Sequence, residues 1–304
     1  MSARRWSLAY AAGGLVALVL LFLAMVGTRW GQRLDVLAFE GRKAADLGVR
    51  RAATDVMGAA TLVLAALLGA LAAWRAARRS GVRAALLTLA ALVGAAVIAR
   101  VLKVVLPRDS LYELQWIGPD NTFPSGHAAL GAVLALYAVM VVPAASRRRV
   151  AVAAGCLLGA HGVVLLASGW HRPSDVAAGF ALAMLLVGVL CAAAPTLEGP
   201  GRSIGRRRSV VVDRAGLWLR STIVGVAVTA VVLALVRRAV DDLHWFDGFS
   251  LASFVLVGLG LAVPVTFSAL PEVSDANGED AQAEGNSADS TRSTASSISS
   301  AARR

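Results

Sequence analysis

Two short stretches hold the residues best suited to chemistry. Residues 121–127 read Asn-Thr-Phe-Pro-Ser-Gly-His and residues 170–175 read Trp-His-Arg-Pro-Ser-Asp, each at the mouth of a long apolar segment. Ser125 can cap a following helix, and Gly126 lets a ligand approach the backbone closely. A helix N-terminus offers free N–H groups and a positive dipole end, a setting suited to phosphate. His171 and Asp175 are four positions apart, which can place them on one helical face. A carboxylate bonded to one imidazole nitrogen sets the tautomer and leaves the other nitrogen free to attack, the logic of an oriented nucleophile. His127 then remains for proton transfer to a leaving group. Lys103 and Arg108 lie just upstream; only two of the 30 basic residues are Lys, and Arg can grip phosphate oxygens in a bidentate fork.

Taken singly these signals are modest. A histidine at a helix end is commonly structural, and Lys or Arg near a bilayer surface commonly snorkels. Their joint meaning depends on the elements that carry them. The chain has 304 residues, is 57% hydrophobic and has a mean hydropathy of +0.67. Apolar runs at about 7–28, 56–74, 84–106, 127–145, 150–168, 176–194, 216–236 and 248–270 approach the roughly 20 residues a membrane helix needs. They are unbroken rather than alternating, which selects helices. A bilayer admits no lipid-exposed unpaired backbone, so the expected class is all-α, a polytopic membrane helix bundle. The first run follows Arg4 and Arg5 and is too long for the apolar core of a cleaved signal, so a retained signal anchor is expected.

The net charge of +11 could suggest nucleic acid, but its distribution excludes that reading. Arg75, Arg78, Arg79 and Arg83 share one loop, Arg147, Arg148 and Arg149 another, and Arg202, Arg206, Arg207, Arg208 and Arg214 a third. With Arg4 and Arg5 these are alternate connections, the pattern of a cytoplasmic face in contact with anionic lipid. The loop over 29–55 carries Arg29, Arg33, Arg42, Lys43, Arg50 and Arg51 against the rule, partly offset by Asp35, Glu40, Asp46 and Asp55. Leu34, Leu37 and Phe39 allow either an interfacial amphipathic helix or a plain loop there. On this topology the Lys103–His127 and His171–Asp175 connections both fall on the outer face.

Four regions are expected. A six-helix membrane core occupies 1–196, a basic cytoplasmic linker 197–215, an additional two-helix transmembrane hairpin 216–270 and a disordered tail 271–304. Asp241, Asp242, His244 and Asp247 read as a solvated turn of that hairpin, with Trp245 as its interface anchor. Cys156 and Cys191 have neither metal-ligand spacing nor an obvious pairing and read as packing residues. His161, mid-helix, reads as a packed or hydrogen-bonded polar residue. No internal repeat is present.

The chain resembles the type 2 phosphatidic acid phosphatase family, the membrane branch of a superfamily that includes vanadium haloperoxidases. The resemblance covers about residues 7–195. The family signature joins a Lys, six residues and Arg-Pro, then Pro-Ser-Gly-His, then Ser-Arg, five residues, His, three residues and Asp. Pro124, Ser125, Gly126 and His127 match the second part, and His171 and Asp175 match the third, with Gly179 where the family often has Gly. The resemblance implies that His171 attacks phosphorus to form a phosphohistidine, Asp175 orients it and His127 protonates the leaving alkoxide. It implies that Lys103, Arg108, Ser125 and Gly126 hold phosphate oxygens, without a metal or other cofactor. Two departures stand out. Arg108 follows Lys103 two positions early with Asp109 after it, and Val164 and Leu165 occupy the Ser-Arg positions. Arg172 and Arg100 are the candidate replacements for the missing cation.

The expectation is therefore a plasma-membrane lipid phosphatase with an extracytoplasmic site. Its partners are a lipid phosphate or diphosphate substrate, prenyl or phosphatidic-acid-like, and the surrounding lipids. A lipid phosphotransferase with the same site residues, and a non-catalytic membrane scaffold or transporter that lost activity with Leu165, remain open alternatives at this level.

Overall fold

Small residues decide how closely these helices pack. The computed structural model describes residues 3–44, 47–55, 61–111, 121–193 and 245–268, all within one unit spanning Met1–Pro271. Among the described residues there are nine α-helices and no strand. They are α1 (Ala3–Leu21), α2 (Arg29–Gly41), α3 (Leu47–Asp55), α4 (Thr61–Ser80), α5 (Val82–Val105), α6 (Gly126–Met140), α7 (Ala144–Ala167), α8 (Pro173–Ala193) and α9 (Trp245–Ser268). The π-helical turn Phe22–Val26 prolongs α1, and a 3-10 turn, Arg42–Ala44, follows α2.

Helix α8 is the central element. In its most apolar window 67% of residues are buried, against 28% for the corresponding windows of α1, α5 and α9. Its glycines explain the fit. A Cβ at Gly179 would lie 2.8 Å from Ala128 Cβ and 2.9 Å from Ala129 N of α6. A Cβ at Gly188 would lie 2.7 Å from Ala11 N of α1. Between apolar helices in lipid, van der Waals contact through such small residues supplies much of the association. Helix α9 packs along α7 in the same way, where a Cβ at Gly155 or Gly159 would meet Leu261 Cα or Val257 Cα at 2.8 Å. The Tyr10 hydroxyl of α1 donates to the Val263 carbonyl of α9 at 2.8 Å.

Five helices are long and apolar enough to cross a bilayer, in Arg4–Val26, Ala85–Val105, Ala145–Ala167, Pro173–Ala193 and Gly248–Ser268. This is an integral membrane protein built as an all-α bundle. Two of the expected spans are shorter as apolar helices, Ala66–Arg75 within α4 and Gly126–Met140. The 15 residues of α6 reach only about 22 Å. Helix α6 stops because Pro143 cannot continue it and disfavours helical backbone just before itself. The expected span over 216–236, the linker over 197–215, the turn residues Asp241, Asp242 and His244, and the tail over 271–304 lie outside the described residues.

The stretch over 29–41 is a helix rather than a plain loop. Thr28 caps α2, its Oγ1 accepting the Gly31 N–H at 3.0 Å. Gly31, Gln32, Asp35, Ala38 and Phe39 form its buried face at helical spacing. Of the two cysteines, Cys191 is packed in the core, whereas Cys156 lies on an exposed face of α7.

Candidate active site

The local sequence around Asp175 folds it back onto its own helix start. Pro173 occupies the first position of α8, where its missing N–H costs nothing. Asp175, two residues on, accepts the Arg172 backbone N–H through Oδ2 at 2.9 Å, one half of a capping box. His171 therefore does not share a helical face with Asp175, as the four-residue spacing suggested; it precedes the helix. The bend that returns it passes through Gly169, whose φ of +74° suits glycine. His171 Nδ1 comes to 3.7 Å from Asp175 Oδ2. That is beyond hydrogen-bond length, and Nδ1 is buried without a hydrogen-bond partner.

Asp175 is occupied by other donors. Oδ1 accepts Arg108 Nη1 at 2.7 Å, and Oδ2 also accepts the Thr122 hydroxyl at 2.5 Å. The backbone joins in: the Ser125 N–H donates to the Asp175 carbonyl at 2.8 Å, tying the start of α6 to the start of α8. Ser125 Oγ caps α6 by accepting the Ala128 N–H at 3.2 Å, and the residue is fully buried. The cap uses the hydroxyl oxygen only as an acceptor, so its O–H remains a donor. Gly126 is half-buried beside it.

His127, in the first turn of α6, is half-buried and faces the loop that carries His171. The two imidazole centroids are 5.9 Å apart, and the His127 ring lies edge-on to Trp170 at 5.3 Å. His161 sits behind it, its Nε2 3.3 Å from the His127 carbonyl oxygen, the hydrogen-bonded role its mid-helix position suggested. Lys103 occupies the last turn of α5, within electrostatic reach of Asp175 and His127. Asn121 secures that helix end, its Nδ2 donating to the carbonyls of Lys103 at 3.1 Å and Leu106 at 2.8 Å.

Arg108 lies deeper than a surface phosphate clamp. Its side chain is 5% exposed and bridges two carboxylates, with Nη2 donating to Asp35 Oδ2 at 2.9 Å while Nη1 holds Asp175. Asp35 also accepts the Ser174 N–H at 3.1 Å and the Ser174 hydroxyl. Burial pushes the Asp35 carboxyl above the usual range, Arg108 opposes this, and the Asp175 charge adds to it. Every hydrogen bond made to Asp35 comes from a donor, which suits the ionised form. Burial alone would lower the Arg108 guanidinium, but Asp175 and Asp35 outweigh it and hold it above its ordinary value. Arg172 is buried close by. Burial, then the like charge of Arg108, pull it down, against the attraction of Asp175 and Asp35. The centre thus balances two carboxylates with two guanidiniums.

The structure brings His127, His171, Asp175, Arg108, Ser125, Gly126, Lys103 and Arg172 to one end of the bundle. Arg100 instead lies on the exposed side of α5. Leu165 is fully buried in the apolar core, so no cation stands at that position of the pattern. Among the described residues, no three His, Cys, Asp or Glu side chains are grouped as a metal ion would need. Sequence reasoning missed Asp35, Thr122, Asn121 and Ser174. One signal could have exposed Asp35: it and Gln32 stand on the same stripe as Ala38 and Phe39, and polar residues at core positions of an amphipathic helix need partners.

These features define a class, a polytopic helical membrane protein with a buried His–Asp–Arg centre where several helices end. Residues 103–198 match the family model described as PAP2 superfamily. That segment runs from Lys103 through Pro-Ser-Gly-His to His171 and Asp175, and its similarity to the PAP2 superfamily, with the apolar helices, supports a membrane protein of phosphatase type. No curated protein and no solved structure matches the chain. Helix α2, with Asp35, lies outside the matched segment.

Proposed function

We propose that this protein hydrolyses a lipid phosphate or diphosphate, prenyl or phosphatidic-acid-like, at the extracytoplasmic face of the plasma membrane. The observation that carries this reading is the facing pair His127 and His171 with Asp175 behind His171. Asp175 lies on the Nδ1 side of His171, which leaves Nε2 as the nucleophile. Nε2 attacks phosphorus, an N–P bond forms and the P–O bond to the lipid breaks. His127 donates its proton to the departing oxygen. Water then attacks the phosphohistidine, His127 takes its proton, and the N–P bond breaks to release phosphate and restore His171. Lys103, Arg108 and Arg172, with the N–H groups at the start of α6, oppose the charge that builds on the phosphoryl oxygens. Phosphate arrival draws His171 and Asp175 closer, since catalytic hydrogen bonds are commonly long before substrate binds. The exposed apolar faces of the bundle, Leu86, Val93, Val97 and Val101 on α5 among them, let the lipid tail stay in the bilayer.

The test is phosphate release by purified protein in detergent with EDTA present, offering prenyl diphosphate, prenyl monophosphate and phosphatidic acid. Wild type should release phosphate from at least one. His171→Ala should lose about 10⁴-fold or more, as expected for a missing nucleophile. Release that EDTA abolishes, or that persists in His171→Ala, would overturn the mechanism. Omission or addition of alcohol acceptors in the same assay separates hydrolysis from phosphoryl transfer.

A further inference from the structure

The loop that delivers Arg108 is two residues shorter than the family spacing and lacks the Pro that follows the Arg there. Something else must set it. Helix α2 does so at three points. The Gln32 side-chain amide donates through Nε2 to the Asp109 carbonyl at 2.7 Å and to the Val26 carbonyl at 2.8 Å. Its Oε1 accepts the Leu111 N–H at 2.9 Å. Asp35, one turn further along α2 and 1% exposed, receives Arg108 Nη2 and both donors of Ser174.

Neither residue lies in the segment that matches the family, and neither is used in the chemical steps above. A buried carboxylate left unpaired would be strongly unfavourable, so Asp35 stays only because Arg108 and Ser174 meet it. The relation is reciprocal. Arg108 is a long side chain with many rotamers, and two carboxylates, one on each terminal nitrogen, hold its planar fork in one orientation. Ser174 belongs to the first turn of α8, between His171 and Asp175. Asp35 therefore touches both the cation and the helix start that carries the oriented imidazole.

The geometry points to Asp35, supported by Gln32, as a positioning residue that sets Arg108 against the phosphoryl group, so that α2 is a working part of the site. This deepens the proposed phosphatase reading and rests on it. Asp35 itself does not touch substrate; it acts through Arg108.

The experiment is a double-mutant cycle on the full-length protein in detergent, with Asp35→Asn, Arg108→Lys and the pair, and Gln32→Ala as an independent variant. Asp35→Asn keeps the shape and removes the charge. Two quantities are read for each: kcat and KM on the best lipid substrate, and Kd for inorganic phosphate by calorimetry, both normalised to folded protein. The positioning role predicts that Asp35→Asn lowers kcat by about 30-fold or more with KM little changed, as for a displaced charge stabiliser. It also predicts that the double variant is no worse than the weaker single within about threefold, because both changes remove one unit. Gln32→Ala should lower kcat about tenfold in the same direction. If Asp35→Asn reduces only the folded fraction, with kcat per folded molecule unchanged, or if its loss multiplies with that of Arg108→Lys, the proposal fails. Should the wild type release phosphate from no lipid, the phosphatase reading fails by itself. The phosphate Kd cycle then decides: coupled weakening in Asp35→Asn and Arg108→Lys upholds the positioning role, and an unchanged Kd or no binding by wild type overturns it.

Discussion

The start of α8 and its seam with α1 are held by different physics. At its N-terminal end Ser174 and Asp175 bond to Asp35, Arg108, Thr122 and the backbone of Arg172. Further along, Gly188 and the residues around it meet α1 through bare van der Waals contact, with the Gly188 backbone against Ala11 and Ser7. Gly14 of α1 repeats the arrangement from the other side, where a Cβ would lie 2.6 Å from the Ala181 carbonyl oxygen. The polar end is directional, and each partner has few substitutes. The apolar end depends on volume alone. One helix thus separates a site that specifies orientation from a seam that specifies proximity.

Removing Arg108 should break this contrast most severely. Arg108→Ala leaves Asp35 and Asp175 facing each other without their shared cation, and truncating one partner of a buried ion pair typically costs about 3–5 kcal/mol. Thermal unfolding in detergent should register that loss, and activity per folded molecule should fall by about 10²–10³. Retention of both within a factor of about three would mean that Arg172 already neutralises the pair.

Gly179→Ala tests where the two regimes meet. Its Cβ would press on Ala128 Cβ and the Ala129 backbone nitrogen, at 2.8 and 2.9 Å. Overpacking of this kind costs about 1–3 kcal/mol. Because the displaced segment begins with Ser125 and carries His127, activity should fall together with stability. Gly188→Ala creates a similar clash, 2.7 Å from Ala11 N, but far along the helix from His171. It should lower the melting temperature comparably while leaving kcat per folded molecule unchanged. A parallel fall in kcat would show that the seam transmits strain to the site. Gly94 of α5 has nothing within 4 Å of a built Cβ. Gly94→Ala should change stability by less than about 1 kcal/mol, in the stabilising direction if at all, because Ala is the better helix former.

How much of this was legible in the chain follows from what each residue needed. Long apolar runs must become helices in a bilayer, so the class was readable from hydropathy. Pro124 to His127 and His171 to Asp175 were readable because the chemistry of an oriented imidazole restricts residue type and spacing. Hydropathy overstates the length of α6, because apolar composition continues to Val142 while Pro143 limits the helix. The position of Arg108 after Lys103 points to phosphate. Its engagement by two buried carboxylates depends on Asp175 of α8, 67 positions away in sequence, and on Asp35 of α2, 73 positions away. In the sequence Asp35 reads as a charge that offsets its basic loop, since exposure is not a property of a single residue.

The sequence by itself determined that the protein is an apolar helical bundle carrying a Pro-Ser-Gly-His and a His–Asp pair, because hydrophobic length and side-chain chemistry are local properties. Only the tertiary structure decided which cation meets which carboxylate, and that α2 reaches the site from outside the matched segment. Those pairings follow from desolvation: once helix packing removes water, each buried polar group must find its partner among whatever the fold has placed beside it.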